Sequence, residues 1–205
     1  KTSISTVGGY DKQTEVHLSK TDITTGEELP GAHIVVKDKN GKTIDEWDST
    51  DKPHVITGVL NPGESYTMTE TGAPDGFAYS KDITFTVNED GTVDKVVMQD
   101  KKTHVSVSKT DITTGNELPG AHLIIKDKNG NTVAEWTSTD KPHYIEKLPA
   151  GDYTLTEVKA PYGYAFAESV LFTVLPTGEV QQFEMRDDII KVEISKKDLT
   201  TMEEL

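Results

Sequence analysis

The chain has 205 residues and a formal net charge of −14, from 21 Lys and Arg residues against 35 Asp and Glu residues. Because so acidic a chain repels phosphate groups, nucleic acid and anionic membrane surfaces are excluded as expected partners. The sequence has no cysteine, which rules out disulfides and thiolate metal sites, and no apolar run is long enough to span a bilayer.

Short strands are predicted in chain order, because apolar and polar residues alternate between clusters of turn residues. In the first half, the predicted strands cover residues 16–22, 33–38, 43–47, 54–59, 65–70, 83–87 and 93–100. Asn40 and Gly41 form a strong hairpin signal, because this pair tolerates the positive φ of a tight turn. Since no segment shows helical periodicity, the pattern predicts an all-β chain of antiparallel sandwiches.

The same motif recurs along the chain. Residues 20–26 read KTDITTG, residues 109–115 repeat these letters, and a degraded third copy begins at residue 194. The acidic positions Asp11, Asp100 and Asp187 follow nearly the same spacing. This repeat is too long for a solenoid unit and matches a whole domain.

The spacing predicts four segments. Residues 1–11 are expected to be the last strand of a preceding repeat, and residues 12–102 and 103–189 two complete domains. Residues 190–205 are expected to be the first strand of a truncated third repeat. The chain is therefore expected to be a fragment of a longer protein, so that the missing targeting signal says little about location.

Three strands in each copy carry one charged residue on an otherwise apolar face, because side chains alternate between the two faces of a strand. The six residues are Lys20, Glu70 and Asp100 in the first copy and Lys109, Glu157 and Asp187 in the second. A buried charge must be paired or neutralised. A lysine and two carboxylates in one apolar layer therefore indicate either a buried ionic cluster or a chemical reaction.

Both interpretations are open at this point. In the first, the lysine pairs with one or both carboxylates, and the cluster has a structural role only. In the second, the lysine amine attacks the aspartic acid, forms an amide and releases water. This reaction needs a neutral amine and a protonated aspartic acid, both of which burial favours. The glutamate would carry protons from the amine to the departing hydroxyl, and contact among the three groups would supply the effective concentration.

The segments around the two glutamates resemble a known family. Residues 66–77, YTMTETGAPDGF, and residues 153–164, YTLTEVKAPYGY, are similar to the Glu-bearing motif of collagen-adhesin B-type (Cna B-type) domains. Those domains occur in the surface adhesins and pilins of Gram-positive bacteria. The opening segment, residues 20–22 with 28–32, and the strand at residues 83–87 also resemble that family, and the resemblance covers both complete copies.

The resemblance implies an inverse-immunoglobulin, transthyretin-like sandwich in which a first-strand lysine is joined to a last-strand Asn or Asp, with the glutamate as catalyst. The implied crosslinks are Lys20–Asp100, with Glu70 as proton shuttle, and Lys109–Asp187, with Glu157 in that role. Because both acceptors are Asp, water is lost instead of ammonia. Asp188 is a rival acceptor, but alternation with Phe183 and Met185 favours Asp187.

The partial repeats carry two further crosslink positions. Asp11 offers an acceptor and Lys196 an amine, but neither has its own glutamate-bearing strand. Both are therefore expected to be orphan positions that do not react within the chain.

The expected function is a structural stalk or spacer of a bacterial cell-surface adhesin, stabilised by isopeptide bonds that form autocatalytically within each domain. It would be extracellular and anchored to the cell wall outside this segment, with no metal or cofactor and no enzymatic activity beyond its own crosslinking. Its expected partners are the neighbouring repeats, while other domains would bind any host ligand. The alternatives are a ligand-binding adhesin module and a sortase-assembled pilus shaft subunit.

Overall fold

The computed structural model describes residues 13–204, and every regular element in that range is a β-strand. The first seven strands are β1 (Glu15–Asp22), β2 (His33–Asp38), β3 (Thr43–Asp48), β4 (His54–Thr57), β5 (Ser65–Gly72), β6 (Ile83–Thr86) and β7 (Val96–Asp100). The other seven are β8 (His104–Asp111), β9 (His122–Asp127), β10 (Thr132–Thr137), β11 (His143–Glu146), β12 (Gly151–Lys159), β13 (Val170–Val174) and β14 (Val180–Asp187). The predicted all-β class is therefore confirmed. Within the described range, no helix has the length and apolar character needed to cross a bilayer.

The chain divides into two compact units, one built on β1 to β7 and the other on β8 to β14. The first unit pairs a three-stranded sheet, in the order β4-β1-β7, with a four-stranded sheet, in the order β3-β2-β5-β6. The second unit repeats this plan as β11-β8-β14 and β10-β9-β12-β13. Each unit is thus a two-layer sandwich.

The alternation of each strand builds the core between its sheets. In the first unit, the inward side chains of both layers form one buried cluster, because each strand turns every second residue toward the opposite sheet. Its members include Val16, Leu18 and Met98 from the smaller sheet and Ile34, Met68 and Phe85 from the larger one. The predicted inward faces of these strands are therefore the buried faces.

In the first unit, one strand pair departs from the predicted antiparallel arrangement. Strands β1 and β7 run parallel, with Lys20 opposite Met98 and Asp22 opposite Asp100. The two strands come from opposite ends of the domain, so no hairpin fixes their relative direction. This register places Asp100 two residues beyond the partner of Lys20, on the same face of the sheet.

The hairpin predicted from the Asn-Gly pair joins β2 to β3. Gly41 has a φ of 81°, the left-handed region that glycine adopts without a steric penalty. The Asp38 backbone N–H donates to the Lys42 carbonyl at 2.9 Å, and the Gly41 N–H donates to the Asp38 carbonyl at 3.0 Å. Gly130, with a φ of 84°, occupies the same turn of the second unit.

Some boundaries differ from the sequence prediction. Strand β4 ends at Thr57, because Gly58 has a φ of 73° that breaks the extended conformation, and β7 begins only at Val96. The predicted strand in residues 1–11, including Asp11, lies outside the described residues. Within residues 190–204 the structure forms only an isolated bridge between Lys197 and Glu204, since this segment supplies no neighbouring strands for a sheet.

Candidate crosslinking site

In the first unit, three charged side chains meet inside the sandwich. Lys20 lies on β1, the central strand of the smaller sheet, Asp100 ends the neighbouring β7, and Glu70 projects from β5 in the opposite sheet. Their exposed fractions are 2%, 1% and 6%, respectively. The Lys20 Nζ contacts Asp100 Oδ1 and lies 2.9 Å from Glu70 Oε1. The two sheets thus bring the predicted amine, acceptor and shuttle together.

The second unit repeats this arrangement. The Lys109 Nζ contacts Asp187 Oδ1 and lies 3.0 Å from Glu157 Oε1, and all three side chains are buried. Asp188 is exposed and lies 3.3 Å from the Lys191 amine. The structure therefore brings Asp187 to the lysine and turns the rival Asp188 toward solvent.

A break in strand pairing follows each glutamate. The register shifts after Ile34–Glu70 in the first unit, and between Glu157 and Lys159 in the second. A β-bulge of this kind interrupts the ladder and re-aims the adjacent side chains. The residues that directly follow the two glutamates, Thr71 and Val158, are exposed.

A backbone donor orients each glutamate. The Ser80 N–H donates to Glu70 Oε2 at 2.7 Å, and the Ala167 N–H donates to Glu157 Oε2 at 2.9 Å. One oxygen is thereby fixed by the backbone, while the other faces the lysine amine. This arrangement holds the carboxyl at the distance that proton exchange with the amine requires.

The carboxyl groups are poorly solvated. Asp100 Oδ2 and Asp187 Oδ2 are buried and have no hydrogen-bond partner among the described residues. Burial raises the pKa of Asp187 above its ordinary value, although Lys109 opposes this shift. Burial also raises the pKa of Glu70, opposed by the Ser80 backbone N–H and by Lys20. In each unit, one member of the carboxyl pair therefore binds its proton more tightly than an exposed carboxyl does.

This geometry is compatible with both interpretations of the cluster. Contact between an amine and a carboxyl within a dry core is the arrangement of a buried ion pair and also the starting point for amide formation. Within residues 13–204, no group of three or more His, Asp or Glu side chains is arranged to hold a metal ion.

Sequence reasoning did not identify Ser80, although its hydroxyl lies against Lys20 and Asp100. Its Oγ is 3.2 Å from the Lys20 Nζ, which donates to it, and 2.5 Å from Asp100 Oδ1. The residue lies in the irregular segment between β5 and β6, where no periodicity indicates which side chains point inward. Its only sequence signal is its position, ten residues after Glu70. Ala167 lies at the same distance from Glu157 in the second copy.

The Lys109→Met variant is expected to become less stable as pH rises. Without the amine no bond forms, and burial still raises the pKa of Asp187. At pH values between the ordinary carboxyl pKa of about 4 and the raised pKa of Asp187, the folded state binds more protons than the unfolded state. The free energy of unfolding therefore falls with increasing pH. Urea unfolding over a pH series measures this slope, and a Trp47→Phe background leaves Trp136 as the only tryptophan, which reports on the second unit.

The control adds Asp187→Asn to Lys109→Met, which removes the titrating carboxyl and should flatten the slope in that pH range. If the free energy of unfolding rose with pH more steeply in Lys109→Met than in the control, the raised pKa of Asp187 would be contradicted.

Solved structures with a similar fold come from several bacteria. The Bacillus anthracis TIE protein matches with a TM-score of 0.54 and 26% identity, over 87% of this chain and 35% of that one. Shaft pilin SpaA from Lactobacillus rhamnosus GG matches with a TM-score of 0.42 and 13% identity, over 89% of this chain and 99% of that one. A streptococcal ancillary pilin matches with a TM-score of 0.40 and 20% identity, over 85% of this chain and 62% of that one. The chain thus spans about a third (35%) of the TIE structure. No curated protein matches the sequence.

The sequence also matches a family model twice. The SpaA family, described as a prealbumin-like fold domain, matches residues 14–102 and again residues 103–189. Prealbumin is another name for transthyretin, so the match confirms the predicted transthyretin-like sandwich. The two matched ranges also confirm the resemblance to Cna B-type domains in both copies. The chain therefore belongs to the SpaA family and carries two of its prealbumin-like domains in tandem.

Proposed function

We propose that the two domains are spacer segments of a bacterial surface stalk, and that each locks itself with an isopeptide bond between its buried lysine and aspartate. One observation carries this proposal. In both domains, a lysine amine that is almost fully buried contacts an aspartate carboxyl, and a glutamate oxygen lies within 3.0 Å of the same nitrogen.

The proposed step condenses a neutral amine with a carboxylic acid. The lysine Nζ attacks the aspartate Cγ, the new Nζ–Cγ bond forms, and one Cγ–O bond breaks. The glutamate accepts a proton from the attacking nitrogen and donates a proton to the departing hydroxyl, which leaves as water. The products are one amide and one water molecule, and the glutamate returns to its starting state.

Several features of the site support this chemistry. Burial raises the pKa of Asp187, which favours the protonated aspartic acid that the reaction needs, and it raises the pKa of Glu70, which makes this carboxylate a stronger proton acceptor. The amine and the carboxyl are held together by neighbouring strands, which replaces a collision in solution with a fixed contact. Each domain would react once, so the activity is self-crosslinking rather than turnover of a substrate.

The crosslinks suit a load-bearing spacer. The proposed bonds join positions 80 and 78 residues apart, so most of each domain lies inside a closed loop. A stalk of such domains would hold other domains of the parent protein away from the cell wall. We infer an extracellular location, with the wall anchor outside this segment and the neighbouring repeats as partners.

The partial repeats extend the proposal. Lys196 lies in an exposed part of the chain, and Asp11 lies outside the described residues. Each would complete its crosslink only in a chain that supplies the remaining strands of its domain, so both stay orphan positions here.

Single alanine substitutions of the glutamates test the proposal. Glu70→Ala should raise the intact mass by one water beyond the effect of the substitution itself, because the first bond no longer forms. Glu157→Ala should do the same for the second bond. Intact-protein mass spectrometry measures both, and proteolytic mapping assigns the surviving crosslink. If either variant kept both crosslinks, the shuttle role of the glutamate would be disproved.

A further inference from the structure

The first domain has a hydroxyl that reaches both reacting groups. Ser80 Oγ accepts a hydrogen bond from the Lys20 Nζ at 3.2 Å and lies 2.5 Å from Asp100 Oδ1. The same oxygen lies 2.6 Å from the backbone carbonyl of Gln99, a second acceptor for its one proton. Its backbone N–H meanwhile holds Glu70 at 2.7 Å. One residue thus contacts the amine, the acceptor and the shuttle.

Among the described residues, no hydroxyl corresponding to that of Ser80 lies at the second cluster. Ala167 takes the place of Ser80, and its backbone N–H donates to Glu157 in the same way, at 2.9 Å. Its methyl side chain cannot hydrogen-bond to Lys109 or Asp187. The two domains therefore share the backbone contact and differ in the hydroxyl, which makes the chain its own comparison.

The position of the hydroxyl fits the charge that develops during the reaction. A serine hydroxyl has one proton, which it can direct to either of two acceptors in reach, the Gln99 carbonyl and Asp100 Oδ1. As the amine attacks, negative charge develops on the carboxyl oxygen that remains. A Ser80 proton directed to Asp100 Oδ1 would stabilise that charge, as the donors of an oxyanion hole do.

We propose that Ser80 is a catalytic residue of the first domain, whose hydroxyl stabilises the negative oxygen of Asp100 while Lys20 attacks, and that the second domain reacts more slowly without it. The inference rests on the proposed isopeptide chemistry. Ser80 gains and loses no atoms, since the proton that reaches the departing hydroxyl still comes through Glu70 and the products stay one amide and one water. The residue therefore changes the rate of bond formation, not its outcome.

Refolding kinetics of the full chain test the proposal. Unreacted chain from cell-free synthesis is collected in denaturant, diluted into refolding buffer and stopped at intervals. Peptide mapping by mass spectrometry then measures each crosslink separately. Ser80→Ala should slow the first crosslink about tenfold or more, the effect expected for one hydrogen bond to a charged group. The second crosslink of the same molecules is the internal control and should keep its rate.

Two further variants separate catalysis from packing. Ser80→Thr keeps a hydroxyl and should restore most of the rate, while Ala167→Ser adds one and should speed the second crosslink. In a Trp136→Phe background, the fluorescence of Trp47, which packs against the core of the first domain, follows folding and should change equally fast with and without the Ser80 hydroxyl.

The outcomes distinguish the two proposals. A first crosslink that forms at the wild-type rate in Ser80→Ala would overturn the role of Ser80 and leave the isopeptide proposal intact. Equal slowing of crosslinking and of the Trp47 signal would overturn it too, because the hydroxyl would then act through folding. A wild-type chain that never forms the first crosslink would overturn both proposals.

Discussion

Replacing Glu70 and Glu157 together with glutamine is expected to lower the melting temperature of the chain by about 20 °C or more. Each proposed bond closes a loop between positions 80 or 78 residues apart. In the chain-entropy model used for disulfides, a loop of this length restricts the unfolded state by about 4–5 kcal/mol. Loss of 1 kcal/mol shifts the melting temperature of a domain of this size by about 4–8 °C. Differential scanning calorimetry measures the change.

A matched control separates the bond from the charge. Asp100→Asn with Asp187→Asn also removes one buried carboxyl from each site, but many members of the Cna B-type family have Asn as the acceptor. This control should still crosslink, lose ammonia instead of water and keep a melting temperature near the wild-type value. If the melting temperature of the double glutamine variant equalled that of the wild type, the bonds would not be a source of stability.

Under mechanical tension, the wild-type chain is expected to show no unfolding step from either domain. Force that enters at Lys20 would pass through the amide to Asp100 and continue along residues 101–108 to Lys109. The segment between Lys20 and Asp100 would carry no load. In the Glu70→Gln variant this segment is free to extend, and the 80 residue steps from Lys20 to Asp100 would add about 270 Å at 3.3–3.6 Å per residue.

Single-molecule pulling from the two ends of the chain measures these steps. The Glu157→Gln variant is the counterpart, because it should release only the second domain, whose loop spans 78 residues. Steps of this length in the wild-type chain would contradict the load-bearing function even if the bonds were present.

Much of the site follows from strand periodicity alone. The period of two placed Lys20, Glu70 and Asp100 on the apolar faces of their strands, and the structure buries all three. The same reasoning favoured Asp187 over Asp188, and the structure turns the first inward and the second outward. Alternation succeeds here because a one-residue shift would move every apolar side chain of the strand into water.

Other features have no local signal. The parallel pairing of β1 with β7 depends on strands that are distant in sequence, and no turn between them reports their direction. The bulge after Glu70 arises from pairing with β2, and alternation of β5 alone does not show it. Ser80 lies in an irregular segment, where the inward side chains are set by tertiary contacts. Sequence patterns thus predict faces, while pairing and loop geometry decide which residues complete the site.

The intact mass of the folded wild-type chain tests the central claim most directly. The account predicts a mass two waters below that of the sequence, with the losses mapped by fragmentation to peptides joined through Lys20 and Asp100 and through Lys109 and Asp187. A mass equal to that of the sequence would contradict it, and the two clusters would then be buried ion pairs within ordinary sandwiches.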